Sequence, residues 1–351
     1  MNDIIPSVPR KMRDSNMELL RIVAILLVMV VHANFRALPV PGIRAIELNP
    51  SGAFLQFVVE ALSVVAVNVF VLLSGWYGIR PKVTRLSELV FQVLFFGVLC
   101  MGFAIIVDGK MPDNCWSRLF LLGDGHYWFV KTYVALYLIS PVLNAFVDNA
   151  SRRQQAIVLV GYFVFQTIYG WWWEGTTWLR GGYSLPSFIA LYLLARYMHR
   201  FQPGFTRFSK WIDLLIYIDY VALLAVIMYL LKQAGMRGDY WYFYTCTLVI
   251  VGAVYLLPFF SKLHLRSRLV NWVAASAFAA YLTQSSTFTY SYYDNTIADW
   301  FNDQSRCVFI LYAAIFIAVV FVASILLDKL RLIIWRTMTE VINKFVNKCR
   351  K

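Results

Sequence analysis

Apolar runs of about 20 residues, the length that crosses a hydrocarbon core as a helix, recur from near residue 17 to near residue 330 of this 351-residue chain. Only short polar breaks separate them. A chain built this way has little choice of solvent. The composition agrees: 60% of residues are hydrophobic and 15% charged, against about 25% charged in a typical soluble domain, and the mean hydropathy is +0.62. The expected fold class is all-α, a polytopic integral membrane protein of about ten transmembrane helices. They are expected near 17–35, 53–77, 86–107, 127–148, 154–173, 184–200, 212–231, 240–260, 270–292 and 306–330. No polar stretch between them is large enough for a separate soluble domain. Residues 1–330 therefore read as one membrane domain and 331–351 as a basic amphipathic tail.

The net charge of +13 would suit a nucleic acid partner in a soluble protein, but here the informative quantity is which side of the membrane the cations take. The groups Arg10-Lys11-Arg13, Arg80-Lys82-Arg85, Arg152-Arg153, Arg196 to Lys210, Lys262-Arg266-Arg268 and Lys329 to Lys351 fall on one set of alternate segments. They hold roughly two thirds of the 32 Lys and Arg, so both termini are expected to be cytoplasmic. No nucleic acid partner is implied. In the tail, Leu332, Trp335, Met338, Val341, Ile342, Phe345 and Val346 recur at three and four with basic residues between. That pattern reads as an interfacial helix on anionic membrane lipids. Arg10, Lys11 and Arg13 resemble the start of a signal peptide, yet Glu18 and Arg21 interrupt the apolar run that follows, and the first span is expected to stay. The five cysteines are scattered and signal neither a disulfide framework nor a metal site.

Chemistry is concentrated in the first span. In "RIVAILLVMVVH", the eleven steps from Arg21 to His32 turn the helix by about 1100°, close to three whole turns, so both share one face about 16 Å apart. Glu18 lies near the same stripe. Ionisable residues inside a membrane cost about 2.5–3.5 kcal/mol each on insertion scales. These three sit near the ends of the span, where a side chain reaches the interface cheaply, so function and interfacial decoration both remain open. Lys131, in "HYWFVKTYVALYLISP", raises the same question.

Aromatic and acidic residues crowd the segments assigned outside, in "IYGWWWEGTTWLRGGY", "DYWYFY" and "TYSYYDNTIADWF". An aromatic belt accounts for Trp and Tyr at both interfaces. It leaves their excess on one side unexplained, and flat rings beside Glu174, Asp294 and Asp299 would suit a sugar. Trp128, Lys131, Trp172 and Trp178 are the candidate substrate-binding residues, with Trp171 and Trp173 beside them. Of the four histidines, His32, His126, His199 and His264, no pair has the spacing of a metal-binding HExxH. No metal is expected. Ser74 in "LLSGW" lacks a G-x-S-x-G elbow.

Four stretches, taken in order, resemble a family. "NMELLRIVAILLVMVVHANF" is similar to the first-helix signature of the membrane acyltransferase-3 family, Arg, ten residues, then His, with a preceding acid that is Glu18 here. "VNVFVLLSGWYGIRPK" resembles its second helix, "HYWFVKTYVALYLISPVLNAF" its "YLLSP" helix, and "ASAFAAYLTQSS" its late "YL" helix. Two positions depart from the pattern. Gln284 stands where a His often follows "YL", and Arg80, Lys82 and Arg85 stand at other spacings than the usual Arg-x-x-Arg.

The resemblance implies an O-acyltransferase, acetyl being the usual group, in the bacterial cytoplasmic membrane and without a following esterase-like domain. Acyl-CoA would be the donor substrate, no cofactor would be bound, and the acceptor would be a hydroxyl of an extracytoplasmic glycan or lipid-linked saccharide. The implied catalytic residues are His32, Arg21 and Glu18. Arg21, Arg80, Lys82 and Arg85 would meet the phosphates of the donor through charge-assisted hydrogen bonds. His32 would act as general base in direct transfer, with an acyl-histidine intermediate as the variant. The rival expectation is a transporter or flippase for a lipid-linked sugar, a class often marked by an internal repeat of broken helices.

Overall fold

The computed structural model describes residues 14–121, 126–172 and 178–349. Every regular element among them is helical: α1 (Ser15–Val31), α2 (Ile43–Leu48), α3 (Pro50–Ser63), α4 (Ala66–Tyr77), α5 (Val83–Asp108), α6 (Cys115–Leu119), α7 (Trp128–Asn149) and α8 (Arg152–Thr167). The second half adds α9 (Leu185–Phe201), α10 (Lys210–Gln233), α11 (Thr247–Ser261), α12 (Arg268–Ala274), α13 (Phe278–Gln284), α14 (Tyr290–Asp303) and α15 (Arg306–Cys349).

Seven stretches among the described residues are long and apolar enough to cross a membrane: Ser15–Arg36, Pro50–Tyr77, Val83–Asp108, Trp128–Asn149, Lys210–Gln233, Asp239–Ser261 and Arg306–Lys344. Each coincides with an expected span. The other three expected spans take shorter forms, for local reasons. The polar start of α8, Arg-Arg-Gln-Gln, is closed by a capping box in which Ser151 and Gln154 satisfy each other's backbone amides. α8 then gives way to a π-helical turn at Ile168–Trp172. α9 has 17 residues and spends its last turn on His199 and Arg200. The stretch expected at 270–292 is broken into α12, α13 and the start of α14. Irregular backbone of that kind survives at membrane depth where protein covers it, and Ala279, Ala280, Leu282 and Gln284 of α13 are all buried.

α1 is the central pillar. It packs against α3, α4, α11, α12, α13 and α15, burying Leu20, Ala24, Ile25 and Met29. Lipid is as apolar as leucine, so helices in a membrane are held by close packing and polar contacts rather than by exclusion of water. Gly75 lets α4 lie directly on α9: a Cβ there would run into the Tyr192 backbone and sit 2.8 Å from Ala195 Cβ. Tyrosine hydroxyls supply many of the polar contacts by donating to backbone carbonyls of neighbouring helices. Tyr220 bonds Ala61 at 2.8 Å, Tyr217 bonds Leu62 at 2.6 Å, Tyr242 bonds Phe57 at 3.1 Å and Tyr293 bonds Met29 at 2.9 Å. Each contributes on the order of 0.6 kcal/mol.

The C-terminal end differs from a separate surface helix, for α15 runs unbroken past residue 330. Arg331, grouped above with the basic residues of one face, is in fact buried. Its guanidinium bonds Asp328 at 2.9 and 3.2 Å and Glu88 at 3.3 Å, and Gln92 donates to Asp328 at 2.8 Å. This cluster clamps α15 to α5.

Candidate functional site

α1 does not end as an ordinary helix. It continues into a π-helical turn, His32–Arg36, a rare geometry found mostly where function distorts a helix. Three polar side chains of that turn reach three different helices. Asn34 donates its Nδ2 to Glu60 of α3 at 3.0 Å and to the Gln56 carbonyl at 3.0 Å. Arg36 pairs with Asp294 of α14, Nη2 at 2.6 Å and Nε at 3.0 Å, and also donates to Gln284 Oε1 of α13 at 3.2 Å. Burial pushes the Asp294 carboxyl above its ordinary range, against the pull of Arg36.

His32 turns Nδ1 toward the end of α13. Gln284 Oε1 lies 3.0 Å away, Gln284 Nε2 2.7 Å and Ser285 Oγ 3.3 Å. The amide can thus accept from a protonated Nδ1 or donate to a bare one. Nε2 of the ring has no hydrogen-bond partner among the described residues. The ring helps to wall a narrow cleft of about 30 Å³ with Ile25, Val28, Phe70, Trp128, Tyr244 and Tyr281, room for a water or two.

The opposite end of α1 is built differently. Glu18 and Arg21 form an ion pair one turn apart, beside an open bowl of about 1460 Å³ lined by Met17, Trp76, His199, Arg207, His264 and Arg266 among others. The Trp76 and His199 rings are 4.7 Å apart. Met17, Arg21, Ile25, Val28 and His32 follow at four, four, three and four residues, one stripe of a helix. Its first member lines the bowl and its last three line the cleft. Arg21 sits between.

Of the expected substrate-binding residues, Trp128 shares the His32 cleft, where its ring lies 4.4 Å from Tyr183 and 6.0 Å from Tyr244. Lys131 is exposed and does not line the cleft. Trp172 and Trp178 are 73% and 72% exposed and stand away from it, whereas Trp171 is buried edge-on to Trp241 at 5.1 Å. Trp173 and Glu174 lie outside the described residues. Arg80, Lys82 and Arg85 point outward from a turn whose backbone is stapled to α7 and α9. Tyr137 Oη accepts from Lys82 N–H at 2.7 Å and donates to the Lys82 carbonyl at 3.0 Å, and Tyr192 Oη accepts from Ile79 N–H at 3.0 Å. None of the three lines the bowl.

Asn34, Arg36, Glu60 and Ser285 escaped the sequence reading as site residues, and Asp294, read there as a carboxylate beside sugar-facing rings, is instead paired with Arg36. Glu60 left a usable signal, being the one carboxylate inside the apolar run 53–77. Asn34 and Arg36 could have been weighed from their nearness to His32. Ser285 left no signal.

The family model described as an acyltransferase domain matches residues 14–329. No curated protein and no solved structure matches the chain.

Proposed function

The chain belongs to acyltransferase family 3, and on that premise we propose that it moves an acyl group, acetyl in the first instance, from cytoplasmic acyl-CoA to a hydroxyl of an extracytoplasmic glycan or lipid-linked saccharide. The setting is the bacterial cytoplasmic membrane, with about ten crossings in all and both termini inside. The observation that carries this reading is the α1 stripe, with a basic, aromatic-walled bowl at one end and an imidazole in an apolar cleft at the other.

In this reading the nucleotide of the donor occupies the bowl, its phosphates meeting Arg21, with the exposed Arg80, Lys82 and Arg85 drawing it in by charge. Glu18 holds Arg21 in place. The pantetheine arm runs along Ile25 and Val28 over the roughly 16 Å to His32. Because the cleft has room for only a water or two, the arm enters by parting its apolar walls. The acceptor hydroxyl meets the thioester at the level of Trp128. Its oxygen attacks the carbonyl carbon while His32 Nε2 takes its proton, the C–S bond breaks, and the proton passes from Nε2 to the departing thiolate. Atoms balance with no bound cofactor: acyl ester and free CoA are the products.

The test is transfer of label from radiolabelled acetyl-CoA to candidate glycans in membranes holding the unaltered protein or His32→Ala. Label in glycan, lost in His32→Ala at equal amounts of folded protein, is expected. Sugar translocation without label would replace the reading with a transporter.

A further inference from the structure

Gln284 and Arg36 are joined to His32 by contacts that no apolar wall requires. Gln284 is buried at the C-terminal end of α13, and its chain position is 252 residues from His32. A buried amide with an apolar alternative available is costly unless its groups are satisfied. Both amide atoms lie within reach of His32 Nδ1, Nε2 at 2.7 Å and Oε1 at 3.0 Å, with Ser285 Oγ at 3.3 Å. It is Oε1 that also accepts from Arg36 Nη2 at 3.2 Å, and an amide oxygen has two lone pairs to offer both donors. Arg36 cannot swing away, for Asp294 takes its Nη2 at 2.6 Å and its Nε at 3.0 Å. The order of support therefore runs from Asp294 through Arg36 and Gln284 to His32.

We propose that Gln284 is the positioning residue of the base, held by Arg36 and Asp294, and that its Oε1 accepts a hydrogen bond from Nδ1–H whenever Nε2 of His32 works on the cleft side. The inference rests on the acyl-transfer reading only for the reaction it serves. The chemistry follows from the ring: an imidazole whose Nε2 is bare enough to take a proton must carry its own proton on Nδ1, and after the transfer both nitrogens are protonated. In both states Nδ1–H needs an acceptor. A carboxylate would fill that role with a full charge; this chain fills it with a neutral amide oxygen that a guanidinium holds in place. No proton leaves Nδ1 during the cycle, and Gln284 itself is never protonated.

Two substitutions separate positioning from packing, because the two roles predict opposite orders. Gln284→Met keeps the volume and removes the acceptor. Gln284→Glu keeps the acceptor and puts a carboxylate among buried groups, where a purely packing role would tolerate it worse. Acyl transfer should fall about 100-fold in kcat for Gln284→Met, the size expected when a reacting group is misplaced, with the donor KM within about twofold. Gln284→Glu should stay within about tenfold of the unaltered protein, since it restores the oriented acceptor. Full activity in Gln284→Met, or loss in both variants with both still folded, overturns the proposal. Nitrogen NMR of protein carrying isotope-labelled histidine gives a readout independent of the reaction. Four histidines are present, and His32→Gln identifies the His32 signals by subtraction. The Nδ1 signal should move in Gln284→Met and return toward its original place in Gln284→Glu. An unmoved Nδ1 signal in Gln284→Met overturns the proposal whatever the activity. A normal Nδ1 response in a protein that transfers no acyl group would instead sink the acyl-transfer reading and leave the positioning contact standing.

Discussion

The two ends of α1 solve opposite problems. At the Arg21 end the cation keeps 34% of its side-chain surface exposed and pairs with Glu18 of its own helix, one turn along from Met17, which lines a bowl of about 1460 Å³. At the His32 end the ring is fixed through one nitrogen by a partner that is itself fixed, beside a cleft of about 30 Å³. A wide, wet, charged vestibule suits binding, where a displaced contact is replaced by water at small cost. A narrow site with a second layer of hydrogen bonds suits a step that needs atoms held to within fractions of an ångström. Substitutions at the first end should therefore alter how much donor is needed, and at the second how fast the reaction runs.

The sharpest break in that comparison comes from His32→Ala. Loss of a general base lowers kcat by about 10²–10⁴-fold, and the change should appear with the donor KM nearly unmoved. Radiolabel transfer at saturating acetyl-CoA measures it. A large rise in donor KM with kcat intact would show that the two ends do not divide their work.

Next in size is Glu60, which tests whether the π-helical turn is held rigid from its other side. Asn34 donates to the Glu60 carboxyl at 3.0 Å. Glu60→Gln keeps an acceptor there and should unfold at nearly the same temperature. Glu60→Leu leaves an acceptor missing for a buried amide and should cost about 1–3 kcal/mol. Thermal unfolding in detergent distinguishes them, and equal loss in both variants would assign Glu60 a role through its charge instead.

How much of this could be read from the sequence depends on whether a feature is local. The spacing of Arg21 and His32 is local, so their shared helical face followed from the helix period alone, and the structure keeps both on one stripe. The seven strongest spans were legible for the same reason. Contacts made across the fold were not. Gln284 stood out only as a departure from a family pattern, because nothing in hydropathy tells that a broken helix 252 residues away ends against His32. Arg331 looks in sequence like any other basic residue of the tail, and only the approach of α5 reveals that it is buried with Asp328. The tyrosines of the segments assigned outside mislead in a third way. Tyr242 and Tyr293 sit in segments that read as a sugar-facing surface, yet their hydroxyls are spent on the Phe57 and Met29 carbonyls.

At the open end, Arg21→Ala should raise the donor KM about tenfold with little change in kcat, since a half-exposed charge-assisted contact is weaker than a buried one. Saturation curves for acetyl-CoA read it directly. A change confined to acceptor affinity would move Arg21 out of the donor path. Arg80→Ala, Lys82→Ala and Arg85→Ala should each do less, because their side chains are exposed and act on the donor only through a field that salt screens. Repeating the curves at high ionic strength should erase the effect of those three and spare most of that of Arg21.

The smallest expected effect divides the aromatics. Trp128 belongs to the His32 cleft and packs on Tyr183, so Trp128→Ala should raise the acceptor KM by about tenfold, the worth of a stacked aromatic contact of roughly 1.4 kcal/mol. Trp172 and Trp178 present most of their surface outward. If they serve as a platform for a long glycan, Trp172→Ala and Trp178→Ala should raise the acceptor KM by about twofold for an extended acceptor and not at all for a single sugar, because only the longer chain reaches both them and the cleft. If they only anchor the protein at the interface, neither acceptor will register the change. Running one short and one extended acceptor side by side therefore reads the aromatic surface as two zones, one next to the base and one that a substrate touches only by its length.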